Sequence, residues 1–148
     1  MRDEAASLRQ DFPVSGGDYL HAGQASCKIK NLLRELGLND EVVLRAAIIS
    51  YEAEMNIIMY AWRGRLDLAV EPHLILIVGE DSGPGIEDIE LAMKEGFSTA
   101  TPEMREMGFG AGMGLPNIKK NADEFRITSE PGRGTRLEMT IRTDGRDS

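Results

Sequence analysis

The sequence predicts an α+β fold in which a mostly antiparallel sheet carries helices on one face. Three observations predict it. Helical periodicity dominates the chain up to Ala61. Two strand-like runs then follow with only Pro72-His73 between them, and a last pair is joined by the turn Pro131–Gly134. Connections this short join antiparallel neighbours.

Asp11–Val14 is read as a short edge strand. Ser26 to Leu36 is read as a helix, because Ile29, Leu32, Leu33 and Leu36 fall at i, i+3, i+4 and i+7. Gly37 supplies its C-cap. Asn39 or Asp40 caps a longer helix running to about Ala61, with an apolar set of Val43, Ala46, Ala47, Ile49, Met55, Ile58, Met59 and Trp62, and Arg63-Gly64 ends it. Arg65–Glu71 alternates, with Leu66, Leu68 and Val70 on one side. Leu74–Val78 is apolar on both faces, as a central strand requires. Ile86–Lys94 is a short helix and Gly96–Met107 a loop. Leu115–Asp123 is helical, with Pro116 tolerated in its first turn. Phe125–Ser129 and a final strand through Leu137, Met139 and Ile141 complete the order. The tails Met1–Gln10 and Thr143–Ser148 are expected to fray.

The chain has 148 residues, is 41% hydrophobic and 28% charged, and shows no repeat or linker, so one domain is expected. Its net charge of −8 leaves no basic surplus to displace counterions from nucleic acid or to bind an anionic membrane. Lys28, Lys30 and Arg34 read as a solvated helix face. The single cysteine, Cys27, excludes an internal disulfide and a thiolate metal cluster, and reads as a small buried hydrophobe. No secretory leader is visible and no apolar run is long enough to span a bilayer, so a cytoplasmic protein is expected.

Four features carry chemistry. Glu52 and Asn56 lie four apart on the long helix, on one side flanked by Ile49 and Ala53, and are expected to be half-buried. Glu54 lies off that side and is expected on the surface. Asp81-Ser82-Gly83-Pro84-Gly85 ends the central strand, where a carboxylate can accept a hydrogen bond from an exocyclic amine such as that of adenine. Gly108-Phe109-Gly110-Ala111-Gly112-Met113-Gly114 leads into a helix start, where free N–H groups and the helix dipole favour an anion. Gly134-Thr135 enters the last strand. Taken singly, a solvated Glu–Asn pair, a plain Asp-x-Gly turn, a glycine linker and a hairpin turn account for each of them. The P-loop pattern is absent. G-x-G-x-x-G also fails, because Met113 or Leu115 stands where its last glycine belongs. His21 and His73 read as structural or surface residues.

The joint order is more specific than its parts: Glu-x-x-x-Asn on a helix, Asp-x-Gly-x-Gly after a strand, a loop of lid length, Gly-x-Gly-x-Gly-Leu before a helix, and Gly-Thr before a strand. Over about residues 12–142 this resembles the ATP-binding fold shared by gyrase, Hsp-type chaperones, sensor histidine kinases and MutL, the GHKL or Bergerat fold. The resemblance implies a two-layer sandwich with a mostly antiparallel mixed sheet. Within that family, Ile89–Met93 through Phe97-Ser98-Thr99, and Gly112-Met113-Gly114-Leu115-Pro116, are similar to the small bacterial anti-sigma-factor and stressosome-type serine/threonine kinases. Glu52-Ala53-x-x-Asn56 with Tyr60-Ala61 is similar too. Tyr60, where many anti-sigma members carry His, leans toward the stressosome switch branch.

By resemblance, Asn56 ligates Mg2+ and Glu52 is the general base. Asp81 reads the adenine of ATP with help from Thr135, directly or through a water. Gly83 and Gly85 admit the nucleotide. Gly108, Gly110, Gly112 and Gly114 with Leu115 wrap the phosphates under a lid formed by Gly96–Met107. Lids in the anti-sigma group often carry a Lys just after the Ser/Thr-Thr pair; here Ala100 and Thr101 follow Thr99, with Arg105 farther along. The second glycine segment is also longer than the common form. The implied activity is phosphorylation of Ser or Thr on a small STAS-type partner, with a sigma factor or a phosphatase as further partners and a homodimer as a possible assembly. The alternatives are an anti-sigma factor using ATP as an affinity switch, and a ligand-binding but inactive domain. A histidine-kinase catalytic fragment fits less well, since no phospho-acceptor helix is read ahead of the ATP motifs.

Overall fold

A computed structural model describes residues 8–94 and 114–143. Its strands are β1 (Leu8–Ser15), β2 (Arg63–Glu71), β3 (Leu74–Ser82), β4 (Glu124–Glu130) and β5 (Gly134–Arg142). They form one sheet in the order β1-β2-β3-β5-β4. The helices are α1 (Gln24–Glu35), α2 (Asp40–Tyr60), the short α3 (Ile89–Ala92) and α4 (Gly114–Asn121), with a 3-10 turn at Tyr19–His21. The expected lid, Gly96–Met107, the glycines Gly108, Gly110 and Gly112, and most of both tails lie outside the described residues.

The apolar run in β3 makes it the middle strand, as its two-sided hydrophobicity requires. Every pairing among the described strands is antiparallel, which goes beyond the mostly antiparallel expectation. The register puts one set of side chains on one face. Leu68 pairs with Ile77, Ile77 with Met139, Ile75 with Ile141, and Ile127 with Leu137. Onto this face packs α2, through Ile49, Ala53 and Ile57, and α1 and α4 pack against α2 in turn. Sheet and helices thus form two layers around one apolar core.

The opposite face carries charge. Arg65 reaches Asp67 at 2.9 Å and Glu80 at 3.1 Å, and Arg136 reaches Glu80 at 3.2 Å and Glu138 at 2.8 Å. Exposed pairs of this kind add little stability, and they mark the solvent side of the sheet. Burial, joined by a hydrogen bond that the protonated Asp67 carboxyl donates to Asp11 on β1, pushes the Asp67 carboxyl above its ordinary range despite Arg65.

Several boundaries differ from the sequence reading. β1 begins at Leu8 and remains an edge strand, where Pro13 is tolerated. α2 ends at Tyr60 and Ala61 is already extended, so Arg63-Gly64 belongs to β2. Gly64 is there for close approach: it pairs with Asp81, and a Cβ on it would lie 2.6 Å from the Glu80 carbonyl oxygen. Trp62 accordingly lies past the helix, 67% exposed, with its backbone N–H donating to the Ser82 carbonyl. Cys27 is exposed, because α1 buries the face of Ala25, Ser26, Ile29 and Leu33. The helix after the first glycine segment shrinks to Ile89–Ala92, started by Asp88, whose carboxylate accepts the Leu91 N–H at 3.0 Å.

Candidate functional site

α2 crosses over β3 and brings the polar residues of both to the same side of the sheet. A Cβ on Gly79 would lie 3.3 Å from the Ala53 Cβ, and one on Gly83 would lie 2.9 Å from the Ala61 Cα. Asn56 sits between those two contacts along the helix. On β3, residues 75, 77, 79 and 81 share the helix-facing side, so Asp81 continues the core row at the site end of the strand.

Asp81 is half-buried, and its Oδ1 accepts the Thr135 backbone N–H at 3.2 Å. Its Oδ2 has no hydrogen-bond partner among the described residues. Burial pushes the carboxyl above its ordinary range, and the neighbouring Glu80 charge adds to this against the Thr135 N–H. Thr135 is 6% exposed, and its hydroxyl lies 2.9 Å from that of Ser129. The loop after Asp81 is fastened to the β4–β5 turn: the Gly83 N–H donates to the Arg133 carbonyl at 3.1 Å, and the Gly132 N–H to the Pro84 carbonyl at 2.7 Å. Gly85 has φ +79°, and a Cβ on it would lie 2.5 Å from the Glu130 carbonyl oxygen, so this position requires glycine. The close approaches of Gly83 and Gly85 are therefore to protein backbone.

At the other end of the site, Glu52 and Asn56 are both half-buried, as read from the sequence. The Asn56 amide has no hydrogen-bond partner among the described residues. Glu52 lies against the start of α4. A Cβ on Gly114 would lie 3.3 Å from its Oε1, and the Asn117 side-chain amide donates to its Oε2 at 3.1 Å. Leu115 is buried in the core, so its side chain anchors α4. The far end of α4 is tied to α2 by Arg45, which donates to the Asn121 carbonyl at 2.8 Å and to Asp123 at 3.1 Å. Burial of Asp123 is outweighed by the Arg142 N–H and the Arg45 guanidinium, which hold its carboxyl below the ordinary range.

Glu54 corrects the sequence reading. It is 2% exposed, not surface. Its carboxylate accepts the backbone N–H groups of Gly23 at 3.1 Å, Ala25 at 3.1 Å and Ser26 at 2.9 Å. Two residues turn a helix by about 200°, so Glu54 points away from Glu52 and under α1, whose first turn it caps.

Two residues near the site escaped the sequence reading. Asn117 is a polar residue between the core residues Leu115 and Ile118. Ser129 follows Phe125 and Ile127 at the next inward position of β4, so the period-2 pattern marks it as polar on an apolar row. Donor chemistry fits the groups the sequence implied. A half-buried carboxylate with one free oxygen suits an amine donor. Among the described residues no three Asp, Glu, His or Cys side chains cluster as a metal site; an amide oxygen such as that of Asn56 is of the ligand type Mg2+ takes. The ion also keeps waters and takes phosphate oxygens.

Residues 41–145 match the model of the histidine kinase-, DNA gyrase B- and HSP90-like ATPases. The chain belongs to this family. It is similar to the serine/threonine-protein kinase RsbT of Bacillus subtilis (strain 168), 34% identical over 113 residues, 74% of this chain and 79% of RsbT. It is also similar to the anti-sigma F factor of Caldanaerobacter subterraneus subsp. tengcongensis, 36% identical over 94 residues, 60% of this chain and 62% of that factor. In fold it resembles a chain of the SiaB–SiaC complex from Pseudomonas aeruginosa, with a TM-score of 0.59 over 90% of this chain and 88% of that one. At 13% identity that likeness is one of fold alone. The family expected from the motif order is thus the family found. Among the described residues, no helix is long and apolar enough to cross a membrane.

Proposed function

We propose that this protein is an ATP- and Mg2+-dependent serine/threonine kinase, one domain with its core at about residues 12–142, acting in the cytoplasm on a small STAS-type regulatory partner in a bacterial stress or sigma-factor switching pathway. The observation that carries the reading is the half-buried Glu52 carboxylate. Among the described residues it is held by one neutral amide at the start of α4, and it lies one turn from the Asn56 amide, which has no hydrogen-bond partner among them. The similarity to RsbT supports the choice of reaction.

Each group of the chain then has a task. Asp81 accepts from the adenine amine, with Thr135 beside it. Asn56 holds Mg2+, which neutralises phosphate charge when bound. The start of α4, with Gly114, meets the phosphates with free N–H groups. Gly108, Gly110, Gly112 and the lid at Gly96–Met107 join this task by resemblance to the family. Glu52 takes the proton of the attacking Ser or Thr hydroxyl, and Asn117 holds the carboxylate in place. Catalysis of this kind is mostly positioning, and a general base contributes about 10²- to 10⁴-fold.

The test is transfer of labelled γ-phosphate from ATP to a STAS-domain partner. Transfer by the wild type that collapses in Glu52→Gln, with ATP still bound, supports the proposal; transfer at the wild-type rate by that variant removes Glu52 as the base. The similarity to anti-sigma F factors favours a second reading, sequestration of a sigma subunit under ATP/ADP control. Gel filtration with sigma, with and without nucleotide, separates the two: a stable nucleotide-dependent complex without transfer to a STAS protein supports the second.

A further inference from the structure

Three inward pairs run along the β4–β5 hairpin. Phe125 opposes Met139, Ile127 opposes Leu137, and Ser129 opposes Thr135. The row changes from apolar to hydroxyl where it reaches Asp81. Ser129 makes three contacts there. It accepts the Ile86 backbone N–H at 2.7 Å, lies 3.1 Å from the Gly134 carbonyl oxygen, and lies 2.9 Å from the Thr135 hydroxyl.

A serine hydroxyl has one proton. The Gly134 carbonyl can only accept, so the Ser129 proton goes to it. The Ile86 N–H is already donating. The contact between the two hydroxyls is then made with the Thr135 proton, and this is the one assignment that satisfies all three contacts. The Thr135 backbone N–H is engaged as well, by Asp81 Oδ1. Thr135 therefore keeps only lone pairs to offer a ligand, and Asp81 beside it, when ionised, also offers only acceptors.

We propose that Ser129 is a positioning residue that locks the Thr135 hydroxyl as an acceptor, so that the site takes a 6-amino purine and rejects a 6-oxo purine. This rests on the reading that Asp81 and Thr135 face the base. An amine donates two protons to two acceptors. A 6-oxo group brings a third acceptor into the same half-buried space and leaves oxygens unpaired there, which is worth about 10- to 100-fold in affinity.

The experiment is calorimetric titration of ATP and of inosine triphosphate, which differ at the 6-position and in the proton that the 6-oxo purine carries on N1, and share the triphosphate. The wild type is expected to prefer ATP by at least about tenfold. In Ser129→Ala the Thr135 proton is released and can turn to a 6-oxo oxygen, so the preference should fall several-fold toward parity, while Ser129→Thr should keep it. A wild type that binds both alike, or a folded Ser129→Ala with the preference intact, overturns the proposal. If Ser129→Ala melts below the assay temperature, Thr135→Val decides: a loss confined mainly to ATP supports the lock, and equal loss for both nucleotides overturns it. Asp81→Asn keeps the two levels apart. Undiminished ATP affinity there removes the base-facing reading itself, whereas lost affinity combined with an unchanged preference in Ser129→Ala removes only the lock.

Discussion

Glu52 and Glu54 stand two residues apart on α2 and have opposite circumstances. Glu54 is buried beneath the first turn of α1, where three backbone N–H groups occupy its carboxylate. Glu52 lies half-buried at the first turn of α4, with one side-chain amide as its partner among the described residues. Both carboxylates meet the positive end of a helix, where negative charge is favoured. One is saturated by the fold and has nothing left for a ligand. The other keeps acceptor capacity at the start of α4. Residue type alone does not separate them; the helix that covers each flank of α2 does.

The largest expected effect breaks the saturated side. Glu54→Ala leaves three N–H groups at the start of α1 without their acceptor, and should cost about 3 kcal/mol or more in stability by denaturant unfolding. A loss below about 1 kcal/mol would mean that water replaces the carboxylate freely. Next is the reserved side. Glu52→Gln should leave stability within about 0.5 kcal/mol and slow phosphoryl transfer roughly 100-fold. If Glu52→Gln instead melted like Glu54→Ala, the contrast between the two would disappear. The smallest effect belongs to Asn117. Its removal as Asn117→Ala takes away one hydrogen bond to Glu52 and should lower kcat by about threefold to tenfold, with KM for ATP unchanged. A rise in KM with kcat intact would place Asn117 in nucleotide binding instead.

The same contrast explains what the sequence disclosed. The two-sided hydrophobicity of Leu74–Val78 announced the central strand, and the order of Glu52/Asn56, Asp81, the glycine segments and Gly134-Thr135 announced the family. The first signal is local, and the second needs only the order of motifs along the chain, not their contacts. Glu54 was illegible because the periodicity of α2 shows which residues face away from Glu52 but not that α1 lies there. Cys27 was misread for the related reason that a residue type with a burial preference can fall on the wrong side of its helix. Gly64 looked like a helix stop, yet its role is set by Glu80 and Asp81 on another strand. Ser129 was legible in principle, since it breaks the apolar row of Phe125 and Ile127. Its meaning needed the Ile86, Gly134 and Thr135 contacts, which come from three separate segments.

Asp81 gives the most direct test that this fold reserves carboxylates for a ligand. Its pKa is raised by burial, so its contribution to stability is present at acid pH and is lost as pH rises through the folded value. Above that folded value the buried charge does not stabilise the free protein. Asn at this position still accepts the Thr135 N–H. Titration of ATP into Asp81→Asn at neutral pH, paired with thermal unfolding of the ligand-free protein, should show affinity lost and a melting temperature equal to or above that of the wild type. In the wild type, affinity should weaken on acidification at a pH above the ordinary carboxylate range. Unchanged ATP affinity in Asp81→Asn, together with a lowered melting temperature, would make Asp81 a part of the turn and contradict the account.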